Sequence, residues 1–240
     1  RDIRHIYLKY LLKVENTFKS VLAHEFSALY GHDNYLKLEN FDAVPDNISS
    51  IIKLFGDIQQ EMARQMSKHH QAVTHYLSEY GYIPLWVLVN VLTFGKVTMF
   101  YKLMKPQDKQ NIARKFHVDA KELHKYMSLC GLARNQCAHD ERFFDLKFRW
   151  HLHTRSVANF SCLGLERDKS GSYPSGTNDV YAIGIVFARL LGTADTAEFI
   201  ASMSAAFSKL EQQLHTISIK DVMRIMGYPA AWERLQQLAR

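Results

Sequence analysis

A short run of residues at the end of a strongly helical segment has the clearest chemical potential in this chain. Arg134, Asn135 and His139 lie within it. Arginine stays charged at any working pH, and its planar guanidinium matches phosphate oxygens. Histidine accepts or donates a proton near neutral pH. A phosphate-binding cation beside a general acid or base is the minimum equipment for cleaving RNA without a metal ion. The alternative is an ordinary solvated helix surface, on which the Asn135 amide bonds to the backbone.

The spacing of these residues decides which of them can act together. On an ideal helix, Arg134 and His139 are separated by roughly 140° around the axis and face different ways. Asn135 and His139 share one face, which Arg142 extends if the helix continues. Arg134 joins this face if its long side chain bends round or if the helix unwinds near His139. Alternatively, two copies of the segment meet across a two-fold axis, which predicts a homodimer with a composite cleft.

Two basic clusters flank this run in a chain with a net charge of +6. Such a balance suits a polyanionic partner, so the clusters predict an RNA-binding surface that leads to His139. For each cluster alone, a solvated helix face is the alternative. The first cluster comprises Lys102, Lys105, Lys109, Arg114 and Lys115, and the second comprises Arg142, Lys147, Arg149 and Arg155.

The composition excludes several classes of protein. The chain has 240 residues, of which 47% are hydrophobic, enough for a sizeable core. No apolar run approaches the ~20 residues of a membrane span, and no signal peptide opens the chain. Three unevenly spaced cysteines favour a reducing cytoplasm. We expect no metal or other cofactor, because neither His151-x-His153 nor Cys137-x-His139 has a second ligand pair at the usual spacing.

Hydrophobic periodicity predicts helices nearly throughout. We expect an all-α bundle that forms a single domain over residues 1–240. An irregular loop at about 164–178 is inserted after the motif helix, which is the helix that ends in the Arg134–His139 run. Trp86 and Trp150 are expected in the core and at its edge, and Phe143 and Phe144 are expected to hold the end of the motif helix against the core. The predicted helices cover about 2–29, 47–80 with an interruption, 85–92, 96–104, 106–116, 119–139, 180–191, 196–214 and a short segment after Ser218, with a last one from about Pro229.

Three segments form a wider pattern: Pro84–Gly95, Leu132–His139 and Met226–Trp232. Their order and spacing resemble the Abi-like branch of bacterial abortive-infection proteins, the AbiD/AbiF group. The Arg-x4-His element with Asn after the arginine is similar to the signature of the HEPN superfamily. Asn90 departs from the pattern, because the family often carries an acidic residue there.

The resemblance implies a HEPN-like helical bundle and a metal-independent endoribonuclease that defends a bacterium against phage, commonly as a dimer. It also implies a small non-coding RNA as a partner. In this chain Arg134 would hold the scissile phosphate, His139 would move the proton, and Asn135 would orient His139 or the phosphate. A non-catalytic module that holds a structured RNA would need the same residues, so this alternative stays open here.

Overall fold

The computed structural model describes residues 1–139, 142–152 and 160–239. These residues form ten α-helices and three short 3-10 helices. The α-helices are α1 (Asp2–Tyr30), α2 (Pro45–Ser67), α3 (Gln71–Tyr80), α4 (Leu85–Val91), α5 (Phe94–Leu103), α6 (Pro106–Lys115), α7 (Ala120–Ala138), α8 (Val180–Leu190), α9 (Thr193–Glu211) and α10 (Ile219–Ile225). The 3-10 helices are Leu38–Asn40, Phe160–Leu163 and Trp232–Leu238.

The predicted all-α class is confirmed. In the described ranges no β-strand forms, and an isolated antiparallel bridge joins Phe41 to Met104. The interruption expected between residues 47 and 80 falls between α2 and α3. Within the described residues, no helix combines the length and the apolar character needed to cross a bilayer.

Local sequence signals set several helix boundaries. Pro45 and Pro106 occupy the first turns of α2 and α6, where a missing N–H costs nothing. Asp119 caps α7, since its Oδ1 accepts a hydrogen bond from the Glu122 N–H at 2.8 Å. Glu122 itself accepts a hydrogen bond from the Tyr126 hydroxyl. Ser218 forms the predicted cap of α10.

The chain divides into two compact units. The first contains residues 1–14 and 129–240, and the second contains residues 15–128. Each has its own aromatic core. Buried in the first are Tyr7, Tyr10, Phe187, Phe199 and Tyr228. Buried in the second are Phe18, Phe26, Phe41, Phe100 and Tyr101. The single domain over residues 1–240 stays a prediction.

Three aromatic residues lie where the sequence did not predict them. The core assignment of Trp86 and Trp150 is wrong, because these side chains are 48% and 63% exposed. Phe143 is buried as expected, whereas Phe144 is exposed, and the guanidinium of Arg142 lies 5.4 Å from its ring centroid. Apolar periodicity identifies residues that can be buried, but it does not say which of two adjacent aromatic side chains faces the core.

Candidate functional site

The residues near the end of α7 differ in their burial. Cys130, Ala133 and Cys137 recur at helical spacing and are buried. Arg134 lies at the edge of this buried face and is half-buried, with its Nε atom out of contact with solvent. Asn135 is exposed on another side of the helix. The helix therefore points its arginine and its asparagine in different directions.

His139 directly follows the last residue of α7. Its backbone N–H donates to the Asn135 carbonyl at 3.1 Å, so helical hydrogen bonding continues to this residue, while its side chain is exposed. The expectation that Arg142 extends the face of Asn135 and His139 is wrong, because α7 ends at Ala138. An exposed imidazole is open to a ligand and to water.

From Arg142 onward, the chain packs against other parts of the first unit, to which it belongs. Gln136 Nε2 donates to the Arg142 carbonyl at 3.2 Å. The ring of Phe143 packs against Tyr7 with centroids 4.9 Å apart. Further along, the Phe148 N–H donates to the Asn178 carbonyl at 2.7 Å. These contacts fix the chain that leaves the motif.

The buried Asp179 holds this part of the chain in place through several polar contacts. The carboxylate accepts hydrogen bonds from the N–H groups of Gly176 at 2.8 Å and Ala182 at 3.1 Å, and it lies 3.2 Å from Lys147 Nζ. Gly227, in the Met226–Trp232 segment, has φ +84°, and a Cβ at this position would overlap the Asp179 carboxylate. Asp179 was not predicted from the sequence, although an Asp before an apolar run is a signal for a helix cap.

The first basic cluster lies entirely in the second unit, on α5, α6 and the turn between them. Lys102 and Arg114 are exposed. Lys105 Nζ lies 5.1 Å from the centroid of the Tyr30 ring. Lys109 Nζ donates to the Lys102 carbonyl at 3.1 Å, and Lys115 Nζ lies 3.4 Å from Glu25 Oε1.

The second basic cluster is largely paired with acids of its own unit. Arg142 forms an ion pair with Asp145, which holds the pKa of that carboxyl below its usual range. Lys147 pairs with the buried Asp179. Arg149 is exposed, and Arg155 lies outside the described residues. Any electropositive surface shared by the two clusters stays a prediction.

The cysteine beside the motif is a packed side chain. Burial raises the pKa of the Cys137 thiol to about 12, which disfavours the thiolate form. Arg4 acts against this shift. In the part of the chain that the structure describes, no group of three or more His, Cys, Asp or Glu residues is placed to hold a metal ion. His153 of the His151-x-His153 pair falls outside that part.

The first resemblance segment places Trp86 and Asn90 on α4. Both are exposed and line a cavity of about 510 Å³ together with small residues of α1. The Asn90 side-chain N–H donates to the Trp86 carbonyl at 2.9 Å, so this amide bonds within its own helix.

Another cavity lies at the start of α7. It measures about 260 Å³ and is lined by Lys102, Lys109, Ala120, Lys121, His124 and Lys125. Of these residues, Lys102 and Lys109 were predicted from their charge to bind RNA, and the other four were not predicted as part of a site. The recurrence of Lys121, His124 and Lys125 at helical spacing was the available signal.

The described residues thus define an all-helical protein whose motif helix is followed by an exposed histidine. The sequence profile of the Abi-like protein family matches residues 1–145. The chain belongs to this family, which indicates a role in abortive-infection defence. The matched range includes the Arg134–His139 run and the Pro84–Gly95 segment, and ends before Met226–Trp232. Comparisons with curated proteins and with solved structures gave no match.

Proposed function

We propose that this chain is a HEPN-type endoribonuclease that cuts RNA without a metal ion during abortive infection of bacteria by phage. The observation that carries the proposal is the exposed His139 at the end of α7, following Arg134 and Asn135. Membership of the Abi-like family supplies the biological setting. A small non-coding RNA as a bound or regulatory partner is part of the same proposal.

The chemistry is an in-line transfer at phosphorus. The ribose 2′-oxygen forms a bond to the phosphorus, and the bond from phosphorus to the 5′-oxygen of the next nucleotide breaks. The 2′-hydroxyl loses a proton and the leaving 5′-oxygen gains one. His139 serves as the base or the acid in these transfers. Arg134 stabilises the charge that builds on the phosphate oxygens, and Asn135 orients the imidazole or the phosphate. The products are a 2′,3′-cyclic phosphate and a 5′-hydroxyl.

The divergence of Arg134 and His139 supports a composite site. Roughly 140° of rotation around α7 separates them, and their different burial agrees with this separation. In a two-fold homodimer, the arginine of one copy can face the histidine of the other. The two copies would then form two arginine–histidine pairs, each with the arginine of one copy and the histidine of the other.

The RNA approaches over basic residues in this proposal. Lys102, Lys105, Lys109, Arg114 and Lys115 belong to one unit and Arg149 to the other, and each is a candidate phosphate contact. Arg142 and Lys147 contribute less, because carboxylates of the same chain already neutralise them.

The deciding experiment incubates the purified protein with total RNA in the presence of EDTA and maps the new ends. We expect cleavage that leaves 2′,3′-cyclic phosphate ends. A matched RNA with a single 2′-deoxy nucleotide at a mapped site should bind but resist cleavage there, because the attacking hydroxyl is absent.

The outcomes separate the two functions. Cleavage that strictly requires magnesium contradicts the proposal. An intact small RNA that copurifies with the protein, combined with no cleavage of any RNA, would instead indicate a non-catalytic RNA-binding module.

A further inference from the structure

The cavity at the start of α7 concentrates positive charge. Four of its six lining residues are lysines, a fifth is His124, and none is acidic. In the described ranges, the ion pairs include none of these four lysines. Ammonium groups that lie close together without an acidic partner repel one another, and a bound anion relieves this repulsion.

His124 lines the same cavity, so the lysine charges act on its imidazole. Its side chain is half-buried. Burial lowers the pKa of the imidazole, and the charges of Lys102, Lys109 and Lys125 lower it further. Lys121 also lines the cavity. The charged groups that shift the pKa of His124 come from α5, α6 and α7 and are all cationic.

The walls of the cavity are fixed by hydrogen bonds between helices. The buried Tyr101 hydroxyl lies 2.9 Å from the Lys109 carbonyl and 3.3 Å from the Ala120 carbonyl. The Ala120 N–H donates to Gln110 Oε1 at 3.3 Å. A site held in this way requires little reorganisation when a ligand enters.

We propose that this cavity binds a phosphomonoester or oligophosphate group. A phosphomonoester carries about two negative charges near neutral pH and presents three strong acceptor oxygens, which match several ammonium donors at once. An internal phosphodiester or a carboxylate brings one charge and leaves most of the lysines unmatched. The small volume suits a compact phosphate group better than a drug-sized molecule. The proposal does not depend on RNA cleavage at His139.

Calorimetric titration with inorganic pyrophosphate tests the site on the whole chain. We expect saturable binding of one pyrophosphate per chain in the wild-type protein. The double variant Lys109→Gln/Lys125→Gln should bind about a hundredfold more weakly, since each lost charge-assisted hydrogen bond costs about tenfold. The control Lys37→Gln/Lys53→Gln removes the same charge from exposed positions of the same unit that do not line the cavity, and it should bind like wild type.

Equal binding by the two double variants, or no saturable binding in the wild-type protein, would overturn the proposal. Lys121→Gln alone provides a second test at an exposed position, where we expect about tenfold weaker binding. His139→Ala should retain pyrophosphate binding, so a failure of the nuclease proposal is distinguishable from a failure of this one.

Two further probes identify the source of the phosphate. If the cavity receives an RNA end, a 5′-phosphorylated oligoribonucleotide should bind about tenfold more tightly than its 5′-hydroxyl twin, and Lys109→Gln/Lys125→Gln should remove the difference. If it receives a free nucleotide, a nucleoside triphosphate should compete with pyrophosphate while the two oligoribonucleotides bind alike. Either result supports the site, and the absence of both effects contradicts it.

The pH dependence of sulfate binding reports the contribution of His124, because sulfate keeps its two negative charges over the pH range in which histidine titrates. A bound dianion favours the protonated imidazole, so sulfate affinity should rise as the pH falls from about 7.5 to about 5.5. His124→Asn should flatten this dependence. An equally steep dependence in the variant would exclude His124 from the site.

Discussion

The two ends of α7 show two ways in which one helix can carry polar chemistry. At its start, Lys121, His124 and Lys125 meet lysines from α5 and α6 around one cavity. At its end, Arg134 is half-buried and His139 is exposed. The first group shares one cavity, whereas the second is divided between a half-buried and an exposed residue.

This difference suggests what each end requires. Within one chain the cavity already has the groups for an anion, so it needs a ligand alone. The proposed cleavage site needs an arginine and a histidine at one phosphate, and a second copy of the chain is the direct way to bring them together. The following predictions test this contrast.

His139→Ala should have the largest effect. Loss of the proton-transfer group should slow RNA cleavage by about 10²- to 10⁴-fold. An exposed side chain contributes little to folding, so the free energy of unfolding should change by no more than about 0.5 kcal/mol. Cleavage rates in EDTA and denaturant unfolding check both statements. His5→Ala removes another exposed histidine of the same unit and should cleave normally. Full activity in His139→Ala would remove this end of α7 from the mechanism.

Mixing two inactive variants should restore activity if the site is composite. In a dimer of Arg134→Ala with His139→Ala, one of the two arginine–histidine pairs loses both groups and the other keeps both. Random exchange makes half of the dimers mixed, so the mixture should recover about a quarter of the wild-type activity. Co-expression with two different affinity tags isolates the mixed dimer for the assay. No recovery in a verified mixed dimer would mean that each chain holds its own complete site.

Two helix-capping aspartates, Asp119 before α7 and Asp179 before α8, should differ in their effect on the free energy of unfolding. Asp119→Ala removes an exposed helix cap and should lower the free energy of unfolding by about 1 kcal/mol. Asp179→Ala should lower it by about 3 kcal/mol, because it leaves the buried Gly176 N–H without its acceptor, removes the side-chain acceptor of the Ala182 N–H and breaks the ion pair with Lys147. Urea unfolding of both variants makes the comparison. Equal losses would show that Asp179 acts only as an ordinary cap.

Much of this fold could be predicted from the sequence, because its signals are local. Apolar residues at helical spacing identified α1, and Pro106 marked the start of α6. The 3-10 helix at Trp232–Leu238 was predicted only as a last helix. The exposed positions of Trp86 and Trp150 could not be predicted, since exposure depends on which neighbouring elements cover a side chain.

The two candidate sites also differ in how far they could be predicted from the sequence. The motif at the end of α7 could be found because its residues are close in sequence. The pairing of Lys147 with Asp179 could not, since 32 residues separate them, and charge alone suggested RNA binding for Lys147. The convergence of Lys102 and Lys109 with His124 likewise depends on how three helices pack.

The smallest expected effect concerns the pH dependence of stability at the start of α7. Burial and then Lys102, Lys109 and Lys125 lower the pKa of His124 from its ordinary value of 6.5. The unfolded chain therefore binds more protons than the folded chain once the pH falls below about 6.5, and the free energy of unfolding decreases there until the folded-state pKa is passed. His124→Gln should remove this decrease, and Lys125→Gln should reduce it by removing one of its causes. Urea unfolding between about pH 5 and pH 7.5 measures the slope, with Lys37→Gln as the control that should leave it unchanged. A slope that Lys125→Gln does not alter would mean that burial alone sets the His124 shift, and that the lysines around the cavity are too well solvated to act on the imidazole.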